Sequence, residues 1–403
     1  MDKDIEKIFD EAPFRFDNAS WLSYCDKVGL SLSFPAIHVS GSNGKSSVCA
    51  LLEAIYISAG YKVGALFDFN NVGPYKAIRM NGSPIKESDF CAIFEQNKKL
   101  FAKYSLSSYE MGVAIAYLYF SSSKPDLVII ESAFGGAYDA TNIDELNDVL
   151  CIVTSSGLAH TSLLGTTTSE IALNHALILK DECPLLVGKL DENSASALSD
   201  FAKKHGSKYQ MVDDYHLAHL VDQNYHFDFG EYKDLAISTP SLAYLGDASI
   251  ALQALSILSS SFPVKEENIR AGLLAFDLPC RSESDEDLLF DVASNPEAIK
   301  TFLLGLNALS KGKPVHVLFA ASRFSNIASM LPLLGNVVAS INLTTYPSPH
   351  ARTEEDYFLY VSDYPFIEDP LLGVKGLREK FPEEKILLIG DNEFVMFMRN
   401  KLA

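Results

Sequence analysis

Two hydrophobic periods alternate along the chain. Short, nearly continuous apolar runs occupy residues 36–39, 62–67, 126–131, 149–154 and 184–188. Each predicts a buried strand. Between them, apolar residues recur at helical spacing. After Lys45, positions Val48, Leu51, Leu52 and Ile55 share one face. Glu87 opens a second helix. Residues 108–120, with Met111, Ala114, Ile115 and Leu118, form a third. Residues 168–179 form a fourth, with Thr168 or Ser169 expected as N-cap and Glu170 in the first turn. Trp21, Leu22 and Tyr24 are expected to pack ahead of the first strand. Residues 76–80 read as extended. Strands that alternate with helices in this way predict a mostly parallel α/β sheet.

Residues 241–260 and 263–276 read as helices that close a first domain. The pattern restarts near Pro279. Strands are predicted at 285–292, 315–319, 338–344 and 385–390. A helix is predicted at 296–309, started by Ser294 or Asn295 and Pro296. A chain of 403 residues suits two domains. The expected division is 1–278 and 279–403, the second domain being a smaller α/β unit.

Composition narrows the class. Hydrophobic residues make up 48% and charged residues 21%, which suits a globular chain with a full core. The net charge of −19 argues against non-specific contact with nucleic acid or an anionic membrane. A local phosphate site remains compatible with it. The six cysteines are scattered with no Cys-x-x-Cys pair, as expected of reduced core residues in a cytoplasmic protein. The N-terminal residues show no signal-peptide pattern, and no apolar run is long enough to span a bilayer. His216 and His219 would suit a metal if they lay on a helix, but no acid or thiol cluster accompanies them.

The chemistry concentrates after the first strand, at Gly41-Ser42-Asn43-Gly44-Lys45-Ser46-Ser47. A strand, a glycine loop and a helix in that order cradle phosphate. The glycines let backbone N–H groups approach the oxygens, and the helix N-terminus adds a positive dipole end. Lys45 is placed for the outer phosphates, and the hydroxyl of Ser46 or Ser47 for Mg²⁺. The same residues would also fit a strand–helix turn with a solvated lysine. Glu131 closes a hydrophobic strand, where a metal-directed acid of a nucleotide enzyme sits above the ligand crevice. The alternative for Glu131 is a strand-end acid facing water.

Taken together, these motifs resemble the folylpolyglutamate synthase/dihydrofolate synthase family of the Mur ligase superfamily. The family loop Gly-Thr-Asn-Gly-Lys-Gly-Ser is similar to residues 41–47. Its Ile-Arg-Val-Asn-Gly is similar to residues 78–82. Its Glu-Val-Gly-Leu-Gly-Gly-Arg-Leu-Asp-Ala-Thr-Asn is similar to residues 131–142, and its Gly-Leu-Asp-His to residues 157–160. Its Pro-Gly-Arg resembles Pro279-Cys280-Arg281, and its Asp-Gly-Ala-His-Asn-Pro resembles residues 291–296. The resemblance implies an N-terminal P-loop-type ATPase domain and a C-terminal Rossmann-like domain. It implies ATP and Mg²⁺ as cofactors, with Ser47, Asp68, Glu131 and His160 as metal ligands. Lys45 and Arg281 would act on the phosphates, and Asp291 would lie in the nucleotide cleft. The implied reaction joins glutamate to a folate-like acid through an acyl phosphate, in a monomer.

Departures accompany the matches. The family's Ser-Pro-His falls at Asp68-Phe69-Asn70. Its carbamylated lysine falls at His175, which cannot form a carbamate. Its adenine-contacting His-Gln and Asn fall at Ala248-Ser249 and Leu252, and its Asp-Lys-Asp falls near 324–326. These leave two alternatives open: a ligase of the same mechanism with another acceptor acid, or a non-catalytic nucleotide-binding homologue.

Overall fold

The computed structural model describes residues 5, 8–9, 18–29, 32–69, 74–157 and 164–402. They fold into two compact units. The first comprises Met1–Leu217, Phe227–Ala236 and Gly246–Phe276, and the second Ala218–His226, Ile237–Leu245 and Asp277–Ala403.

The first unit opens with α1 (Ala19–Val28), β1 (Pro35–Ser40), α2 (Lys45–Ser58) and β2 (Val63–Leu66). A short helix α3 (Pro74–Ala77) leads into β3 (Ile78–Met80) and β4 (Ser83–Pro84). The helices α4 (Glu87–Tyr104) and α5 (Ser108–Ser123) follow, then β5 (Leu127–Glu131) and β6 (Asn147–Val153). Next come α6 (Thr168–Ala176), β7 (Leu185–Val187), α7 (Glu192–Lys204) and β8 (Tyr209–Met211). One sheet has the order β4-β3-β2-β5-β1-β6-β7-β8. From β2 to β8 every pairing is parallel. All of β5 is buried, and so is all of β1 past Pro35. Central parallel strands are covered on both faces, which is why their sequences read as unbroken apolar runs.

After β8 come the strands β9 (His216–Val221), β10 (Asn224–Phe229) and β11 (Tyr232–Ile237), then α8 (Tyr244–Ile257) and α9 (Glu266–Leu274). The second unit continues through β12 (Glu283–Asp285), β13 (Leu288–Asp291), α10 (Pro296–Leu303), α11 (Leu306–Ser310) and β14 (Val315–Ala320). It ends with α12 (Ile327–Gly335), β15 (Ser340–Thr344), β16 (Phe366–Ile367), α13 (Pro370–Lys380), β17 (Lys385–Gly390) and α14 (Asn392–Leu402). Its sheet has the order β12-β13-β17-β14-β15-β16, parallel except for the β12–β13 hairpin.

Several local expectations are corrected. Leu22 is exposed, because α1 buries only Trp21, Tyr24 and Cys25. Lys76 is helical rather than extended. The N-cap of α6 is Thr167, whose hydroxyl and the Glu170 carboxylate form a capping box, and α6 stops at Ala176. The stretch expected as one helix from 296 to 309 breaks at Gly305 into α10 and α11. His216 and His219 lie on a strand, where residues three apart point to opposite faces. That removes the helical spacing on which a shared metal would depend. The elements α7 and β8 were not anticipated from the pattern.

Candidate active site

The loop after β1 is shaped by two glycines. Gly41 has φ +140° and Gly44 φ +85°, both in the region that favours glycine. A Cβ on Gly41 would fall 2.1 Å from the Thr154 hydroxyl. The loop rests on the chain that leaves β6. Ser42 N–H donates to Ser155 O at 3.1 Å, Thr154 Oγ1 to Asn43 O at 2.6 Å, and Ser42 Oγ to Gly157 O at 2.9 Å. Gly44 caps α2, so the N-terminal N–H groups of a 14-residue helix face the loop.

Charged groups gather there. Lys45 Nζ donates to Gly41 O at 2.8 Å, which lays its ammonium across the loop. Glu131 ends β5, in register with Val39 of β1. Its Oε1 accepts from Ser46 Oγ at 2.8 Å and its Oε2 from Asp68 N–H at 3.3 Å. Burial pushes the Glu131 carboxyl above its usual range, and the nearby Asp68 charge adds to this. Lys45, the Ser46 hydroxyl and the Asp68 N–H pull the other way. Lys45, Ser46, Asp68 and Glu131 are thus brought together from three separate segments. Ser47 is buried, but the hydroxyl that meets Glu131 is that of Ser46. His160 lies outside the described residues, as does Asn70.

Three contributors escaped the sequence reading. Asp139 accepts from the N–H groups of Ala133, Phe134 and Thr141 at 2.7, 2.7 and 2.9 Å, and so folds the segment that follows Glu131. It also accepts from Tyr109 Oη at 2.9 Å, and the Tyr109 ring meets the edges of Phe69 and Phe134. A backbone-capping aspartate two residues before Thr141 is the signal that would have revealed this role. Asp247, in the first turn of α8, lies against Gly44, where a Cβ would come within 2.4 Å of its Oδ1. His175 faces the two loop serines Ser40 and Ser42. Asp247 carries no sequence signal for its position; His175 falls where the family has its carbamylated lysine, but its contacts with the two serines carry none.

In the second unit, Asp291 ends β13 and accepts from Ser282 N–H at 2.8 Å. Burial pushes its carboxyl up to about 6, against the pull of Arg281 and the Ser282 donors. Arg281 Nη1 donates to Val292 O at 3.4 Å. Arg281 and Asp291 therefore form one local arrangement. Cys280, at the family's glycine position, has φ +57°.

No family model matches the chain. Curated relatives do. It is 26% identical to dihydrofolate synthase/folylpolyglutamate synthase of Bacillus subtilis, covering 91% of this chain and 90% of that one. The protein of the same name from Escherichia coli is 30% identical over 363 residues, 84% of each chain. The structure of E. coli FolC in complex with DHPP and ADP superposes with a TM-score of 0.87 at 25% identity, covering 99% of this chain and 97% of that one. A complex of FPGS with AMPPCP and folate gives 0.86 at 22% identity, with 100% and 99% covered. At 30% identity over 84% of each chain, with the same fold recurring in the solved structures, this chain belongs to the dihydrofolate synthase/folylpolyglutamate synthase family.

Proposed function

We propose that the chain is an ATP-dependent ligase that joins glutamate to a folate by an amide bond. The observation that carries this reading is the meeting of Lys45, Ser46 and Glu131 at the glycine loop. The residues fit the nucleotide and its metal. Glu131 is buried and accepts from the Ser46 hydroxyl and the Asp68 N–H, and its carboxylate with that hydroxyl offers the hard oxygens that suit Mg²⁺. At Gly41 and Gly44 a Cβ would collide with Thr154 and Asp247, so glycine at both positions permits the path of the loop.

Residues 41–47 would hold the triphosphate. Ser46 or Ser47, Glu131, Asp68 and His160 would hold Mg²⁺. Bound Mg-ATP would supply the γ-phosphoryl group that activates a substrate carboxylate, with ADP leaving, so that an amine can attack the acyl carbon, lose a proton and release phosphate. The chain's part is placement and charge. Loop N–H groups and the α2 dipole favour anionic oxygens, and the Lys45 ammonium offsets their charge. Ser46 and the Asp68 N–H fix the Glu131 carboxylate by both oxygens, which holds its lone pairs in one orientation. The assignment of Arg281 to the nucleotide phosphates, and of Asp291 to the nucleotide cleft, rests on their motif matches.

The same reading takes the protein as a cytoplasmic monomer with small-molecule substrates and no nucleic-acid partner. A net charge of −19 and six free cysteines support it. Among the described residues no helix is long and apolar enough to cross a membrane. We also take the division at residue 278 as the functional domain boundary. A second reading keeps the chemistry but changes the acceptor acid. Its support is Phe69, which packs on Tyr109 in the loop where the family has Ser-Pro-His. Labelled glutamate incorporation with dihydropteroate and with tetrahydrofolate tests both readings. ATP-dependent product from either confirms the folate reading; product from neither removes it.

A further inference from the structure

One buried imidazole is shared by two hydroxyls of the glycine loop. His175 sits in the last turn of α6, 3% exposed. Its Nδ1 lies 2.9 Å from Ser40 Oγ and its Nε2 lies 3.4 Å from Ser42 Oγ. Each hydroxyl has a single proton. Ser42 directs its proton to Gly157 O at 2.9 Å, so the Nε2 contact requires a proton on Nε2. In the neutral ring Nδ1 is then an acceptor, and Ser40 donates to it in preference to Gly135 O at 3.4 Å. One tautomer satisfies both contacts.

We propose that His175 is a positioning residue for the phosphate loop. It ties Ser40 and Ser42, on either side of Gly41, to α6. Gly41 has the φ of +140° that favours glycine, so its torsions alone do not fix the direction of the chain that follows. The imidazole pins both flanks and thereby aims the loop N–H groups before a phosphate arrives. Such preorganisation by a supporting side chain is what a binding constellation needs. The family's carbamylated lysine would place an anionic carbamate here, whereas the neutral imidazole offers one ring N–H donor and one ring acceptor. The arrangement therefore differs in kind from the family's, and the inference rests on the nucleotide-binding reading of the loop.

Calorimetric titration of the full chain with Mg-ADP tests it. Loss of two hydrogen bonds to the loop should weaken binding by roughly tenfold or more in His175→Ala. His175→Gln, which keeps a donor near the Nε2 position, and His175→Asn, which keeps an acceptor near the Nδ1 position, should each recover part of that loss. Ser40→Ala combined with His175→Ala should bind no more weakly than His175→Ala alone, since the Ser40 hydroxyl acts through the ring. Should His175→Ala not fold, the Gln and Asn variants carry the test, with affinities between wild type and a Ser40→Ala/Ser42→Ala double variant. Wild-type affinity in all folded His175 variants overturns the positioning role while leaving the nucleotide reading intact. No Mg-ADP binding by the wild type overturns both. Lys45→Ala serves as the control for binding at the loop.

Discussion

Two buried carboxylates end two parallel strands, and their surroundings differ. Glu131 closes β5 in the first unit; Asp291 closes β13 in the second. Burial pushes both upward. Asp291 accepts from a backbone N–H at 2.8 Å and has the Arg281 guanidinium nearby. The Ser282 hydroxyl stands off from Asp291 at 3.4 Å, whereas Glu131 has the Ser46 hydroxyl at 2.8 Å and a longer backbone contact at 3.3 Å, while Lys45 donates to Gly41 O. A hydroxyl can rotate and offer its lone pairs to a cation that the carboxylate also binds. A backbone N–H has only a proton to give. The comparison teaches that burial does not by itself distinguish two strand-end acids; the close hydroxyl beside Glu131 is what separates it from Asp291.

The largest effect expected is at Lys45. Lys45→Ala removes a charge-assisted donor from the loop, and Mg-ADP affinity should fall by roughly a hundredfold in a calorimetric titration. An unchanged affinity would put the phosphate site elsewhere. Glu131→Gln comes next. It keeps the shape and removes the charge, so glutamate incorporation should fall by at least about a hundredfold if the carboxylate holds the metal. Thermal melting should show equal or higher stability, because an expensive buried charge is gone. Lower stability together with full activity would reverse the contrast with Asp291.

Asp291→Asn tests the other side through pH. The folded-state value of about 6 lies above the ordinary 3.8, so folding favours the protonated form. Its contribution is fully present below about 3.8 and is lost as pH rises through about 6. The whole difference amounts to at most about 3 kcal/mol. Urea unfolding across that window should show the variant gaining on wild type as pH rises. A constant difference would contradict the assignment. The smallest effects separate the two carboxylates' hydroxyl neighbours. Ser46→Ala removes the 2.8 Å donor to Glu131 and should cost about 1 kcal/mol in chemical denaturation. Ser282→Ala removes only a 3.4 Å contact, leaves the N–H in place, and should cost less than about 0.5 kcal/mol.

Much of this was legible residue by residue. The apolar runs that predict β1, β2, β5, β14 and β17 match the observed strands to within one or two residues. The loop was legible because strand, glycines, lysine and helix are contiguous. Less was legible wherever a role depends on a distant partner. Ser46 and Glu131 are 85 positions apart. Ser40 and His175 are 135 apart. Cys280 illustrates the converse. Its φ of +57° explains why the family has glycine there, yet the sequence alone reads as a plain apolar substitution. A residue in that conformation carries strain of about 1 kcal/mol.

By itself, the amino-acid order determined the alternation of strands and helices, the glycine loop and the family. The alternation and the loop follow from hydrophobic period and from backbone torsions, which act over a few neighbouring residues, and the family follows from the resemblance of short contiguous motifs. Only the tertiary structure decided that Ser46 rather than Ser47 meets Glu131, that Asp139 folds the segment behind it, and that His175 ties two loop serines to α6. Those choices depend on how a parallel sheet sets strand ends side by side, and hydrogen bonds across that edge have no period along the chain.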